Sequence, residues 1–254
     1  MSAILKAMNV KKIFGGGKDF SETVALNHLN LELEKGDFTA IMGPSGSGKS
    51  TLLNILSGFD FPTTGEVLIK DRPISRMSGD ELAIFRRTHI GYIFQEFHLL
   101  DSLTIEENVM LPRILNREVS LKMFEKADQM LKFLGISEIK NKYPYQVSGG
   151  QQQRAAVCRA LINETSLLFA DEPTGNLDSK SSKSVLETLK RTNENFQTTI
   201  LLVTHDPFAA SYSNKVLFLK DGSIRTQLDK KGDQDLFVKE ILDNLTLLED
   251  DYDV

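Results

Sequence analysis

The chain has 254 residues, of which 41% are apolar, and a formal charge of −5 at pH 7. That length accommodates one large domain, or a domain with a subdomain, around a substantial core. The acidic balance argues against a nucleic-acid partner, and a single cysteine, Cys158, excludes both a disulfide framework and a cysteine-based metal site. No apolar run approaches the ~18 residues that span a bilayer, and the N-terminus lacks a charged-then-apolar leader pattern. A soluble cytoplasmic chain is expected, so any membrane process it serves needs another subunit in the membrane.

In chain order, Phe14 precedes a glycine run from Gly15 to Gly17, an aromatic residue leading into a flexible loop. Leu29, Leu31 and Leu33 alternate with polar residues and read as a half-buried strand. Lys35-Gly36-Asp37 turns this strand into the apolar run Phe38 to Met42. Next comes Gly43-Pro44-Ser45-Gly46-Ser47-Gly48-Lys49-Ser50-Thr51, followed by the helical pattern Leu52 to Leu56. Strand, glycine-rich loop and helix in that order are the context of a P-loop. Its backbone N–H groups and the positive helix end face phosphate oxygens. Lys49 reaches the β- and γ-phosphates, and the Ser50 hydroxyl can ligate Mg²⁺.

Beyond a turn-rich stretch, Val67 to Ile69 is a short strand, and Ser78 with Glu81 forms a capping box opening a helix that carries Arg86 and Arg87. Ile90 to Phe94 is a buried strand ending at Gln95. The following stretch changes character. Thr104 and Glu107 make a second capping box, and Leu121, Phe124, Ala127, Leu131 and Leu134 recur at helical spacing until Gly135. A mostly helical insertion is expected there. Ser148, Gly149, Gly150 and Gln151 open a helix running to about Leu161, and so offer a second anion-binding end.

Leu167 to Ala170 reads as a central strand ending in Asp171-Glu172, where open α/β sheets place their chemistry. Asp171 suits an Mg²⁺ role and Glu172 can polarise an attacking water. Ile200 to Val203 is the next buried strand, and His205 lies at the same sheet edge. His28, His89 and His98 are read as structural histidines in apolar surroundings. Val216 to Leu219, Asp221-Gly222 and Ile224 form a hairpin. Phe237, Ile241, Leu245 and Leu248 share one helical face, expected to pack on the core, and Glu249 to Asp253 should fray.

The succession of the P-loop, Gln95, Ser148 to Gln151, Asp171-Glu172, Asn176-Leu177-Asp178 and His205 resembles the ATP-binding cassette ATPases. The resemblance covers about residues 4–225. It implies an α/β P-loop NTPase with a RecA-like core (about 1–95 and 162–228), an N-terminal antiparallel β subdomain, an inserted α-helical subdomain (about 96–161) and a C-terminal extension (229–254). It implies that Phe14 stacks on adenine, where tyrosine is commoner. Gln95 corresponds to the glutamine that touches Mg²⁺ and the attacking water and couples to a membrane partner. Ser148, Gly149, Gly150 and Gln151 correspond to the signature motif, with Val147 replacing the usual leucine. Asp171, Glu172, Asp178 and His205 match the Walker B aspartate, the catalytic glutamate, the D-loop aspartate and the switch histidine. Members pair head to tail, each ATP being held between one chain's P-loop and the other's signature helix. A homodimer on the cytoplasmic face of the membrane, using ATP and Mg²⁺, is therefore implied.

Within that family, the run Ala170 to Asp178 and the surrounding motifs look like the subgroup serving MacB-, lipoprotein-release- and FtsE-type machines. Thr204 to Tyr212 and Phe218 to Leu228 are similar to the Bce-type ATPases of bacitracin and antimicrobial-peptide resistance. These pair with an FtsX-like permease and, through it, a sensor histidine kinase. A lipoprotein-release, MacB-like or FtsE-type ATPase is the alternative. A soluble non-transport cassette would show a coiled coil, a second cassette or a basic surface. A regulatory, non-catalytic cassette would be expected to lose Lys49, Glu172 or His205.

Overall fold

The computed structural model describes residues 3–15, 21–118 and 120–250, the last two by backbone alone. Strands β1 (Ala3–Phe14), β2 (Thr23–Glu34), β4 (Thr64–Ile69) and β5 (Arg72–Pro73) form an antiparallel sheet in the order β2-β1-β4-β5. The larger sheet runs β10-β9-β3-β8-β7-β6. It is built from β3 (Phe38–Met42), β6 (Ile90–Ile93), β7 (Leu167–Asp171), β8 (Thr199–Val203), β9 (Lys215–Lys220) and β10 (Ser223–Asp229). All of its neighbours pair in parallel except β9 and β10, joined by Asp221 (φ 49°) and Gly222 (φ 72°). Positive φ at both central residues is the backbone of a type I′ hairpin. A second such turn, Lys70-Asp71 between β4 and β5, was not foreseen; its residues do not announce it.

The parallel strands read as unbroken apolar runs because both faces of the sheet are covered. Period-2 alternation divides them cleanly. Phe38, Ala40, Met42, Leu168, Ala170, Ile200, Leu202 and Phe218 face one core. Ile41, Phe169, Leu201, Val203, Leu217 and Leu219 face the other, shared with the small sheet. Helices α1 (Lys49–Ser57) and α2 (Gly79–His89) supply buried leucines to the second core. The first takes α3 (Ile105–Leu115), α4 (Leu121–Phe133), α5 (Gly149–Leu161), α6 (Ser179–Phe196), the short α7 (Pro207–Ala210) and α8 (Gln234–Asp250). Among the described residues between β6 and β7 every element is helical.

The expected packing of Phe237, Ile241, Leu245 and Leu248 holds, with the first two and Leu248 buried. The expected stripe on α4 needs correction. Its buried residues are Met123, Ala127 and Leu131, continued by Leu134, while Leu121 is 82% exposed and Phe124 also faces out. The histidine reading is corrected too. His28 and His98 are exposed, His28 bonding Asn9 and His98 stacking on Phe94, and only His89 is half-buried, against Phe85. Gly16, Gly17 and the acidic end past Asp250 lie outside the described residues. No helix among the described residues is long and apolar enough to cross a membrane.

Candidate functional site

Parallel pairing aligns the C-terminal ends of β3, β7 and β8. Ile41 pairs with Val203, and Val203 with Asp171. The loops leaving these strands therefore meet at one edge, and they carry Gly43, Glu172 and His205. The β3–α1 loop is tightly wrapped. A Cβ on Gly43 would lie 2.0 Å from the Leu219 carbonyl oxygen, and one on Gly48 (φ 104°) would lie 2.4 Å from that of Ala25. The Ser47 N–H donates to the Pro44 carbonyl (3.2 Å), and Gly222 N–H donates to the Ser47 carbonyl (3.0 Å).

Helix α1 is preceded at its N-cap by Gly48, which offers no side-chain cap, and its first turn holds no acidic residue. Its leading N–H groups therefore suit an external anion. The Ser47 hydroxyl is buried without a hydrogen-bond partner. Lys49 Nζ curls back to donate to the carbonyls of Gly43 (2.8 Å) and Pro44 (2.9 Å). Burial holds its amine below the ordinary lysine range, and the nearby Glu172 and Asp171 oppose that shift. Such a donor set, N–H groups and one ammonium, fits phosphate oxygens.

Asp171 closes β7, and its carboxyl is raised above the ordinary range, first by burial, then by repulsion from Glu172, with Lys49 opposing. Glu172 has φ 45°, a left-handed conformation that non-glycine residues rarely adopt. Its N–H donates to the Val203 carbonyl (2.9 Å), and its Oε1 lies 2.9 Å from His205 Nδ1. Gly43, Pro44, Ser45, Lys49, Glu172 and His205 share one cleft of about 310 Å³, walled in addition by Leu245 and Leu248. Ser50 and Thr51 follow in the first turn of α1.

The remaining sequence candidates do not line this cleft. Gln95 Nε2 donates to Asn176 Oδ1 (3.5 Å), and Asn176 Nδ2 returns a bond to the Gln95 carbonyl (3.3 Å). Ser148 and Gln151 form a reciprocal capping box on α5, which satisfies their own N–H groups. The anion-binding capacity expected of that helix end therefore falls to Gly149 and Gly150. Asp178 caps α6, accepting from the N–H groups of Lys180 and Ser181 (3.0 Å each), and its carboxyl is held below the usual range first by the Ser181 hydroxyl and then by these N–H groups. Phe14 is exposed at the end of β1, with Lys12 Nζ 4.9 Å from its ring centre.

Residues 26–175 match the family described as ABC transporter. The chain belongs to the ABC transporter family. It is similar to the ABC transporter ATP-binding protein YxdL of Bacillus subtilis, at 46% identity over 98% of this chain and 95% of that one. It is likewise similar to the Bacitracin export ATP-binding protein BceA of Halalkalibacterium halodurans, 48% identical over 94% of each chain. Among solved structures, the ATP-binding cassette MJ0796 of Methanocaldococcus jannaschii, in a dimeric post-hydrolysis state bound to ADP and Pi, matches with TM-score 0.81. That match has 39% identity and covers 90% of this chain and all of the other. This ABC protein is an ATP-hydrolysing subunit.

Sequence reasoning missed two side chains of this ABC subunit. Gln153, fully buried on α5, donates through Nε2 to the carbonyls of Phe94 (3.2 Å) and Pro173 (2.7 Å). It thus ties α5 to the residues flanking Gln95 and Glu172. Arg159, on the same helix, donates to the carbonyls of Phe97 (2.8 Å) and His98, both at positive φ. A polar residue buried within a helix is the signal that exists for such roles, and the sequence alone does not disclose the burial.

Proposed function

We propose that two copies of this chain pair head to tail, each closing the other's ATP site, and that closure drives a Bce-type, FtsX-like permease in resistance to bacitracin-like peptides. One observation carries the pairing. Lys49, Glu172 and His205 line a single cleft, whereas Ser148, Gly149 and Gly150 of the same chain do not. A second copy is then needed to bring a signature helix over the P-loop. The Bce assignment rests on similarity to BceA across nearly the whole of both chains. Peptide sensing through a sensor histidine kinase would follow from that partnership.

In this reading Gly43 to Thr51 and Lys49 grip the triphosphate, Phe14 stacks on the base, and Ser148 to Gln151 with Asp178 contact the nucleotide across the pair. Glu172 polarises the attacking water, and His205 holds the Glu172 carboxylate in place while contacting the terminal phosphate. The oxygen donors Ser50, Gln95 and Asp171 suit Mg²⁺, a hard cation that takes few protein carboxylates beside phosphate oxygens. When bound, the ion neutralises phosphate charge. The bond to Asn176 uses the Gln95 amide nitrogen, which leaves Oε1 as the ligand atom. The permease would dock on the region from Gln95 to Val147, which exposes Leu100 in a loop and Ile114 and Leu115 at the end of α3, placing residues 1–228 at the cytoplasmic face of the membrane.

The test pairs the chain with its candidate permease. Co-expression should yield a co-purifying complex whose ATPase is faster than that of the chain alone, and deletion should sensitise cells to peptide antibiotics. A complex with a lipoprotein-release, MacB-like or FtsE-type permease, and unchanged peptide sensitivity, would assign it to that alternative.

A further inference from the structure

The C-terminal helix reaches the catalytic edge. At its start, Lys230 Nζ donates to the Ser211 carbonyl (2.8 Å) and Gln234 Nε2 to the Ser211 hydroxyl (2.9 Å), fixing α8 to the segment that follows His205. Phe237 and Ile241 bury its middle. At its far end Leu245 and Leu248 wall the cleft that holds Gly43, Lys49, Glu172 and His205. Leu248 and Leu245 thus serve two surfaces, the core on which they pack and the cleft that they wall.

A second route joins the same helix end to the P-loop. Lys220, buried at the end of β9, donates from Nζ to the Leu248 carbonyl (2.6 Å). The adjacent Leu219 carbonyl abuts Gly43, and Gly222 in the same hairpin donates to Ser47. Displacement of Leu248 therefore acts on the loop both directly and through the β9–β10 turn.

We propose that α8 is a positioning element of the nucleotide site, with Leu245 and Leu248 forming an apolar wall on the side that receives the terminal phosphate. This rests on the ATP reading of the cleft. An apolar wall keeps water from the charged groups, and charge–charge interactions strengthen as the local dielectric falls. The wall stands beside Lys49, Glu172 and His205, while Phe14 is absent from the cleft lining. Its effect therefore belongs to the third phosphate and not to the base. ATP is therefore affected more than ADP.

The experiment measures equilibrium affinity for ATP and for ADP in the Glu172→Gln background, and turnover in the parent background. Leu245→Ala, which truncates a half-buried side chain and spares the fold, is compared with Leu245→Ala/Leu248→Ala and with Leu236→Ala at the exposed start of the helix. Expected for Leu245→Ala are an ATP affinity lower by about 5-fold or more, an ADP affinity within about 2-fold, and a matching loss of kcat/KM. The double variant should deepen the ATP loss, Leu245→Met should restore it, and Leu236→Ala should change nothing. Parallel losses for ATP and ADP, or no loss for either, overturn the proposal. Failure of the unsubstituted chain to bind ATP would instead overturn the reading of the cleft.

Discussion

His205 Nδ1 lies 2.9 Å from Glu172 Oε1, although the two residues are 33 positions apart in the chain. The contact joins the ends of two adjacent parallel strands, and the Glu172 N–H bond to Val203 ties the same two strands through the backbone. The left-handed backbone at Glu172 then turns its carboxylate toward the P-loop cleft. Strain of that kind, of order 1–3 kcal/mol, survives only where surrounding contacts impose it.

Glu172→Gln should keep ATP binding and lose hydrolysis by ~10²-fold or more, the scale of a lost transition-state group. His205→Ala should lower kcat as well, and the double variant should lose much less than the product of the two single losses, because the residues act as a pair. Single-turnover hydrolysis with bound ATP measures all three. Full additivity would mean that the contact has no part in the reaction.

Asp171 makes a prediction about stability against pH. Burial and the Glu172 charge raise its folded pKa despite Lys49, so the folded chain holds this proton more tightly than the unfolded one. The group favours folding below its ordinary range, and that contribution disappears as pH rises through the raised value. At neutral pH, the ionised carboxylate is a net cost. Asp171→Asn should therefore melt higher than the parent at pH 7 without nucleotide, and the difference should shrink toward zero near pH ~4. Thermal melts across that range decide it. A lower melting temperature at pH 7 would show that attraction to Lys49 outweighs burial.

Much of this site was legible because its chemistry is written locally. The P-loop, the acids at the end of β7 and the capping boxes at Ser78 and Thr104 each lie within a few consecutive residues, and the structure places them on the expected elements. Helix α6 was not legible. Its buried face includes Thr188, Thr192 and Asn193 beside Val185, Leu186 and Leu189, so polar residues dilute the apolar period. The engagement of Gln95 with Asn176 was also hidden, since only the fold brings positions 81 apart together. On α4 the period was visible but its phase was not, because Leu121 and Phe124 satisfy helical spacing as well as Met123 does.

Two glycines of the P-loop separate conformational strain from steric exclusion. At Gly46 (φ 79°) an added Cβ meets nothing within 4 Å, so Gly46→Ala should cost only the left-handed penalty of about 1–2 kcal/mol. At Gly43 the added carbon would lie 2.0 Å from the backbone oxygen of Leu219, which no side-chain rotation relieves. Gly43→Ala should therefore exceed the Gly46→Ala loss in urea unfolding and abolish ATP binding. Equal losses at the two positions would mean that the loop yields where the Leu219 contact says it cannot.

Gln153 gives the sharpest separation of hydrogen bonding from packing. Its Nε2 serves the carbonyls of Phe94 and Pro173 from a fully buried position. Gln153→Leu keeps most of the volume but strands both acceptors, which should cost about 1–3 kcal/mol. Gln153→Glu preserves the shape and cannot donate while ionised, so at neutral pH it should be at least as damaging. Burial raises the pKa of such a carboxyl, and once protonated it can donate one hydrogen bond. Gln153→Glu should therefore recover stability relative to Gln153→Leu as the pH falls, over a range where the parent changes less. A Glu variant that tracks the Leu variant at every pH in urea unfolding would reduce Gln153 to a space-filling residue. Recovery would instead establish that one donor holds α5 to the backbone beside Gln95 and Glu172.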